Sequence, residues 1–183
     1  MSGHSHWAGI KHKKEITDQK RGKVFSKLLK AISAAVKTEP NPDFNPRLRT
    51  AVAKAKEASV PQDNIDRAIK KASEADANLD ELLFEAYGPG GIAILIEAIS
   101  DNKNRTVQEV KLILKEHNGK WAESGSVQWA FEKMTAGGES VWHAKFPQDV
   151  TSEDKTSLGD LIETLEENDD VQNVYTNVAD AIG

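Results

Sequence analysis

The chain contains no cysteine and no long apolar run. The absence of cysteine excludes disulfides, thiol nucleophiles and thiolate metal sites. The longest apolar run, at residues 92–96, has the length of a β-strand and is too short to cross a bilayer. The first residues carry no apolar segment, so we expect no secretory signal and no membrane partner.

The remaining composition is that of an ordinary globular protein. The 183 residues are 38% hydrophobic and 29% charged. This length is enough for one compact domain or two small ones. We find no internal repeat and no low-complexity tract.

The net charge of −5 conceals a division along the chain. Residues 1–72 hold 16 Lys and Arg against 7 Asp and Glu, whereas residues 73–183 hold 8 against 22. A charged helix face is commonly only a solvated surface. A net charge of +9 beside one of −14 also suits a segment that binds a polyanion, next to a segment that repels one.

Three helices are predicted after a polar, basic arm that ends at about Lys14. The first has an apolar stripe from Phe25 to Val36, with its lysines largely off that stripe, and it ends before Thr38 because prolines follow. Asn45 and Pro46 begin the second helix as cap and first residue. The third opens at Pro61. Each helix has one apolar face, which predicts a three-helix bundle.

The periodicity changes after an acidic linker at residues 73–80. Strands are predicted at 82–87, 92–99, 126–132, 141–146 and 171–178, with turns at 88–91 and 137–138. Helices are predicted at 106–117, capped by Asn104 or Thr106, and from Thr151 or Ser152 to Glu167. The fold class is therefore α+β: an N-terminal three-helix bundle (1–75), then an antiparallel-sheet α+β domain (80–183) with two helices on one face.

Few motifs point to chemistry. Residues 88–91 are rich in glycine but lack the order of a phosphate-binding loop, so they are predicted to be a turn. Residues 101–106 form either a plain capped loop or a small anion site around Lys103 and Arg105. The acidic run 166–170 either holds a cation or is a solvated helix end, and the second is far more common.

No metal, cofactor, catalytic residue or small-molecule substrate is predicted. The histidines of the N-terminal arm, His4, His6 and His12, have no further ligands that would complete a metal site. No nucleophile–base arrangement and no paired-carboxylate motif is recognisable, so the chain is not expected to be an enzyme.

Nine collinear segments give the chain a resemblance to the YebC/PmpR family, which is also known for the mitochondrial translational activator of cytochrome c oxidase. They include Val60-Pro-Gln-Asp-Asn-Ile-Asp-Arg67 and Tyr87-Gly-Pro-Gly-Gly-Ile92. The full set lies at 3–7, 10–14, 20–29, 45–49, 60–71, 87–92, 101–107, 125–133 and 169–177. Each segment alone is weak, but nine in order are specific.

The resemblance implies a helical bundle with α+β domains and a cytoplasmic, non-enzymatic regulator of gene expression. Bacterial members are commonly described as DNA-binding transcriptional regulators, and others resemble ribosome-associated translation factors. The basic N-terminal region of the family matches the segment identified here by its charge. The candidate nucleic-acid-binding residues are Lys11, Lys13, Lys14, Lys20, Arg21, Lys23, Lys27, Arg47, Arg49 and Lys54.

One departure from the family pattern is visible between residues 134 and 141. Members of the family usually carry a further α+β domain there, whereas this chain has only six residues, 135–140. The sequence therefore indicates a short form in which Gly137 and Gly138 form a turn that joins two strands. A function that grips a partner between the second and third domains is not expected.

The leading hypothesis is a DNA-binding transcriptional regulator, and the alternative is a ribosome-associated translation factor that binds ribosomal RNA. The basic surface suits both, because duplex DNA and ribosomal RNA present the same phosphates. A third hypothesis is a protein–protein adaptor whose basic bundle docks on an acidic partner. Base-specific contacts cannot be recognised in the sequence.

Overall fold

A computed structural model describes residues 18–74 and 78–179 of the chain. The predicted basic arm, with Lys11, Lys13 and Lys14, lies outside the described residues.

The predicted helical bundle is present. Its helices are α1 (Asp18–Val36), α2 (Pro46–Glu57) and α3 (Gln62–Glu74). Asn45 caps α2 by accepting a hydrogen bond from the Leu48 amide, as predicted, and its own amide group donates to the carbonyl of Ala35. The apolar faces meet in one core whose fully buried members include Ile32, Leu48 and Ile65.

The rest of the chain forms an α+β layer structure, and the predicted fold class is confirmed. Its elements are β1 (Asp80–Tyr87), β2 (Ala93–Ser100), α4 (Lys103–Glu116), β3 (Lys120–Ala122), β4 (Phe131–Ala136), β5 (Glu139–Ala144), α5 (Ser152–Glu167) and β6 (Val171–Thr176). Four strands form an antiparallel sheet in the order β3-β1-β2-β6, and β4 and β5 form a separate hairpin. Residues 78–179 are called the sheet part below.

The central strand β2 is buried on both faces. On one face Ile94 and Ile96 pack against α4 and α5, so both helices lie on the same side of the sheet, as predicted. On the other face Leu95 packs against the hairpin through Phe131 and Trp142. Alternate side chains of β2 thus belong to two separate hydrophobic cores.

Both predicted glycine turns are confirmed. Gly90 and Gly91 have φ angles of 73° and 74°, in the left-handed region that favours glycine. Gly137 and Gly138 join β4 to β5, as predicted for the position at which the family pattern has a further domain.

The strand predicted at 126–132 is wrong over residues 126–130. Residues Gln128–Ala130 form a 3₁₀ turn, and β4 begins only at Phe131. The buried carboxylate of Glu85 accepts hydrogen bonds from the backbone amides of Gly125, Val127 and Gln128. The chain therefore curves around that side chain instead of pairing as a strand. Trp129 therefore does not share a face with Val127 and Phe131 but is exposed.

Smaller boundary predictions also need correction. Helix α4 begins at Lys103 and is capped by Asn102 rather than by Asn104 or Thr106. The three-residue strand β3 was not predicted, and the last strand ends at Thr176 rather than at residue 178.

The segment predicted as a linker is partly helical. Helix α3 continues to Glu74, and β1 already begins at Asp80. The division into domains at 1–75 and 80–183 stays a prediction. Within residues 18–74 and 78–179, no helix is long and apolar enough to span a membrane, and no group of three or more His, Asp or Glu side chains is placed to hold a metal ion.

Candidate nucleic-acid interface

Lysines of α1 dock on the end of α5. Residues 166–170, which lead from α5 into β6, are called the acidic corner below. The Lys23 Nζ lies 3.2 Å from the Glu167 carbonyl oxygen, and the Lys30 Nζ lies 3.3 Å from that of Asp169. These contacts join residues about 140 positions apart in sequence. They hold the first helix against the sheet part.

Lys27 occupies the centre of this contact and is only 4% exposed, so its position off the apolar stripe of the bundle does not leave it in solvent. Its ammonium group donates to the carbonyl oxygen of Glu166. Burial lowers the pKa of Lys27 from 10.5 to about 8, although the nearby charges of Glu166 and Asp169 act to raise it. In this conformation Lys27 is not accessible to a phosphate.

Asp170 is a buried carboxylate of the acidic corner. It accepts hydrogen bonds from the Lys30 Nζ at 2.7 Å and from the Arg105 guanidinium at 2.8 Å. The hydroxyl groups of Thr106 and Ser100 lie at 2.6 and 3.2 Å. Burial by itself would raise the pKa of Asp170, but the hydrogen bonds outweigh it and lower that pKa from 3.8 to about 2.

The same contacts decide two alternatives left open by the sequence. Arg105, considered as an anion-binding residue, meets internal carboxylates: its guanidinium lies 2.8 Å from both Asp101 and Asp170. The acidic run 166–170, expected to be a solvated helix end, is the surface on which α1 docks. A cleft of about 570 Å³ beside it is lined by both signs of charge, including Lys23, Arg105 and Asp169, so it does not offer the uniformly positive wall that a phosphate requires.

Helix α2 makes the second contact with the sheet part, at the start of β1 and at the hairpin turn. Arg47 pairs with Glu81, and Lys54 pairs with Glu139. The Thr50 hydroxyl donates to the Gly137 carbonyl oxygen at 2.5 Å. Arg49 instead stays within the bundle, where it donates to the carbonyl oxygens of Pro42 and Asp43.

The predicted site residues therefore divide into two groups. Lys23, Lys27, Arg47 and Lys54 contact the sheet part, and Arg49 braces the loop before α2. Lys20 and Arg21, in the first turn of α1, are exposed, and Arg21 lies 3.8 Å from Asp18 of the same turn. The structure does not bring the seven described candidates together as one outward surface.

Helix α3 carries exposed cations that were not included among the candidates. Arg67, Lys70 and Lys71 are exposed, and their spacing of three and four residues puts Arg67 beside both lysines on the helix surface. No carboxylate of the described sheet part contacts them, and Lys70 has only a loose pair at 3.9 Å with Glu74 of its own helix. The basic residues of α3 are visible in the sequence. The sequence does not show, however, which basic residues of α1 and α2 contact the sheet part and which remain exposed like those of α3.

Comparison with known proteins matches both parts of the chain to one family. The model of the TACO1/YebC protein N-terminal domain matches residues 5–75. The model of the TACO1/YebC second and third domain matches residues 79–136 and 134–178. These two segments meet beside the Gly137–Gly138 turn, where the short form was predicted to lack a domain.

Relatives named "Probable transcriptional regulatory protein" cover the chain to different extents. A protein of Desulfosudis oleivorans is 46% identical over 98% of this chain and 73% of its own length. One from Brachyspira hyodysenteriae is 50% identical over 73% of this chain, which corresponds to 56% of that relative. One from Citrifermentans bemidjiense is 38% identical over 235 positions, more than the 183 residues of this chain, so it contains residues that this chain lacks.

A solved structure has the same fold. The crystal structure of a conserved hypothetical protein from Aquifex aeolicus superposes with a TM-score of 0.84 at 31% identity. The match covers 96% of this chain and 97% of the other.

Proposed function

This chain belongs to the TACO1/YebC family, and from that premise we propose that it is a nucleic-acid-binding regulator of transcription that contacts DNA through its helical bundle. The proposal is for a binding protein rather than an enzyme. It is supported by the regulatory name of the relatives and by the concentration of positive charge in the first 72 residues.

The observation that carries the proposal is the outer face of α3. Arg67, Lys70 and Lys71 are exposed there and contact no carboxylate of the described sheet part. Lysine and arginine side chains that are not neutralised internally can displace the counterions of a phosphate backbone. We propose that α3, together with Lys20 and Arg21, presents the phosphate-binding surface in the docked conformation, and that Lys11, Lys13 and Lys14 extend it.

The candidates that contact the sheet part have a different role in this proposal. Lys23 and Lys27 donate to carbonyl oxygens of the sheet part, and Arg47 and Lys54 pair with its carboxylates, so these four side chains hold the two parts together. The acidic sheet part then disfavours wrapping of DNA around both parts of the molecule.

Binding to a fluorescently labelled DNA duplex tests this surface. The triple variant Arg67→Glu, Lys70→Glu and Lys71→Glu is expected to weaken binding by at least about tenfold, because three phosphate contacts become repulsive. Three phosphate contacts account for about a 40-fold fall in affinity between 50 and 200 mM salt, so the affinity of the triple variant is expected to depend less steeply on salt than that of wild type.

A matched control changes the same number of charges elsewhere. Lys103, Lys115 and Lys155 are exposed on α4 and α5 of the sheet part, and their triple change to Glu is expected to weaken binding much less. If the two triple variants bind equally well at the same salt concentration, the placement on α3 is wrong and only the net charge matters.

Crosslinking in cells followed by sequencing of the attached DNA and RNA tests the target. Discrete DNA peaks near the starts of genes are expected. Ribosomal RNA fragments at one site with DNA at background would contradict the transcriptional proposal in favour of a translation factor. Complexes that survive nuclease treatment would instead favour a protein adaptor.

A further inference from the structure

Three aromatic side chains are exposed on the sheet part, near the open end of the β4–β5 hairpin. Trp129 is 64% exposed, Phe146 is 53% exposed and Tyr87 is 37% exposed. The rings of Trp129 and Phe146 pack on each other with centroids 5.6 Å apart and a tilt of 46°. Tyr87, Trp129 and Phe146 are called the aromatic platform below.

Hydrogen bonds to one carbonyl oxygen hold two of these rings. The Trp129 Nε1 donates to the Ser126 carbonyl oxygen at 2.7 Å, and the Tyr87 hydroxyl approaches the same oxygen at 3.4 Å. The polar edges of both rings are therefore directed towards the protein. The indole in particular is fixed at its edge while most of its surface remains in contact with water.

The loop that carries Trp129 is itself fixed by a buried carboxylate. Glu85 is only 3% exposed, and its oxygens accept hydrogen bonds from the amides of Gly125, Val127 and Gln128 at 2.5, 2.7 and 2.9 Å. Burying a carboxylate is costly unless it is well hydrogen-bonded, and three amides satisfy it here. The fold thus uses a buried charge to set the backbone that presents an exposed tryptophan.

Two lysines flank the platform. The Lys145 Nζ lies 5.6 Å from the centroid of the Phe146 ring. Lys120 is directly opposite Tyr87 in the β1–β3 pairing, which puts both side chains on the same face of the sheet. Proteins that bind single-stranded nucleic acids use exposed aromatic rings with cationic side chains beside them. The bases stack on the rings, and the phosphates contact the cations.

We propose that the aromatic platform stacks unpaired nucleobases of a single-stranded nucleic acid. The inference rests on the proposed function and adds a second contact to it, separate from the phosphate-binding bundle. The hairpin turn at Gly137 faces α2, whereas the Phe131–Ala144 pair closes the opposite end of the hairpin, near the platform. The sheet part is acidic overall, but Lys120 and Lys145 supply positive charge directly beside the rings, and this local charge favours a nucleic acid over a protein partner.

Fluorescence anisotropy with a labelled 12-nucleotide single strand and with the duplex of the same sequence tests the platform. Trp129→Ala is expected to weaken binding of the single strand by about tenfold, the loss typical of one stacked base. Binding of the duplex is expected to be unchanged, because it depends on the bundle. Phe146→Ala is a second variant with the same expectation, and Trp129→Phe, which keeps a ring, is expected to restore most of the affinity.

Met134 supplies the matched control. It is an exposed apolar side chain of the same hairpin, and Met134→Ala is expected to leave single-strand binding unchanged. If Trp129→Ala and Phe146→Ala bind the single strand as well as wild type does, the platform is not a base-stacking site, and the proposed function is unaffected. If wild type binds neither the single strand nor the duplex, both proposals fail.

Discussion

At the scale of single residues, Asp170 connects the two parts of the molecule through a buried carboxylate. It receives Lys30 from α1 and Arg105 from α4, together with the hydroxyl group of Thr106. A buried charge of this kind is stable only while its partners remain. Removing the carboxylate leaves the buried Thr106 hydroxyl and the largely buried Lys30 ammonium group without this acceptor.

The change Asp170→Asn is therefore expected to lower the free energy of unfolding by about 3 kcal/mol at neutral pH. Chemical denaturation followed by circular dichroism measures this difference. Asp169→Asn is the control, since Asp169 is exposed, and it is expected to change stability by less than about 0.5 kcal/mol. Equal effects of the two variants would contradict a special role for Asp170.

The pH dependence of this difference has a definite sign. Because the pKa of Asp170 is lowered from 3.8 to about 2 in the folded state, its contribution is fully present above about pH 4. It is lost as the pH falls through about 2. The stability difference between wild type and Asp170→Asn is expected to shrink over that window and to stay constant between pH 5 and 7.

At the scale of secondary-structure elements, the β4–β5 turn is a contact surface for α2 as well as a connection. A methyl group on Gly138 would lie 2.5 Å from the carbonyl carbon and oxygen of Pro46, at the start of α2. Gly138 also has a φ angle of 80°. The β4–β5 turn is thus packed against the bundle.

Gly138→Ala is expected to lower the free energy of unfolding by about 2–4 kcal/mol, because it combines backbone strain with a clash against α2. Gly137→Ala is the matched control: Gly137 has a φ angle of 59° but no heavy atom within 4 Å of the added methyl group. It is expected to cost only about 1 kcal/mol of strain. Thermal and denaturant unfolding check both values, and a Gly138→Ala variant no less stable than Gly137→Ala would show that the turn does not bear on α2.

At the scale of the whole molecule, the bundle and the sheet part are joined by polar contacts. The core of the bundle and the two cores of the sheet part share no residue among those described. Most of the side chains that cross between them are charged, as in the Arg47–Glu81 and Lys54–Glu139 pairs. Exposed pairs of this kind weaken as salt is added.

Small-angle X-ray scattering in increasing salt is expected to show the consequence. A compact chain of 183 residues has a radius of gyration of about 16 Å. Between 50 mM and 1 M salt we expect this radius to increase by several ångströms as the bundle separates from the sheet part. An uncharged osmolyte at equal osmolality is the control and is expected to cause no increase. A constant radius at high salt would show that buried groups such as Lys27 and Asp170 suffice to hold the parts together.

The sequence by itself determined the helices, most of the strands and the two glycine turns. Local chemistry was enough for these features: Asn45 caps the helix that begins at the next residue, and the left-handed turns at 90–91 and 137–138 favour glycine. The stripe from Phe25 to Val36 likewise specified which face of α1 is buried. The family resemblance and the missing insertion also came from the order of motifs along the chain.

Only the tertiary structure decided which cations remain on the surface. Lys27 and Arg67 are both basic residues on amphipathic helices, but one is buried against Glu166 and the other is exposed on α3. The partner of Lys27 lies 139 residues away, and no local pattern specifies such a pair. The same holds for Glu85, whose carboxylate fixes the backbone of residues 125–128 and so leaves Trp129 exposed. A hydrogen bond depends on distance in space rather than on distance along the sequence.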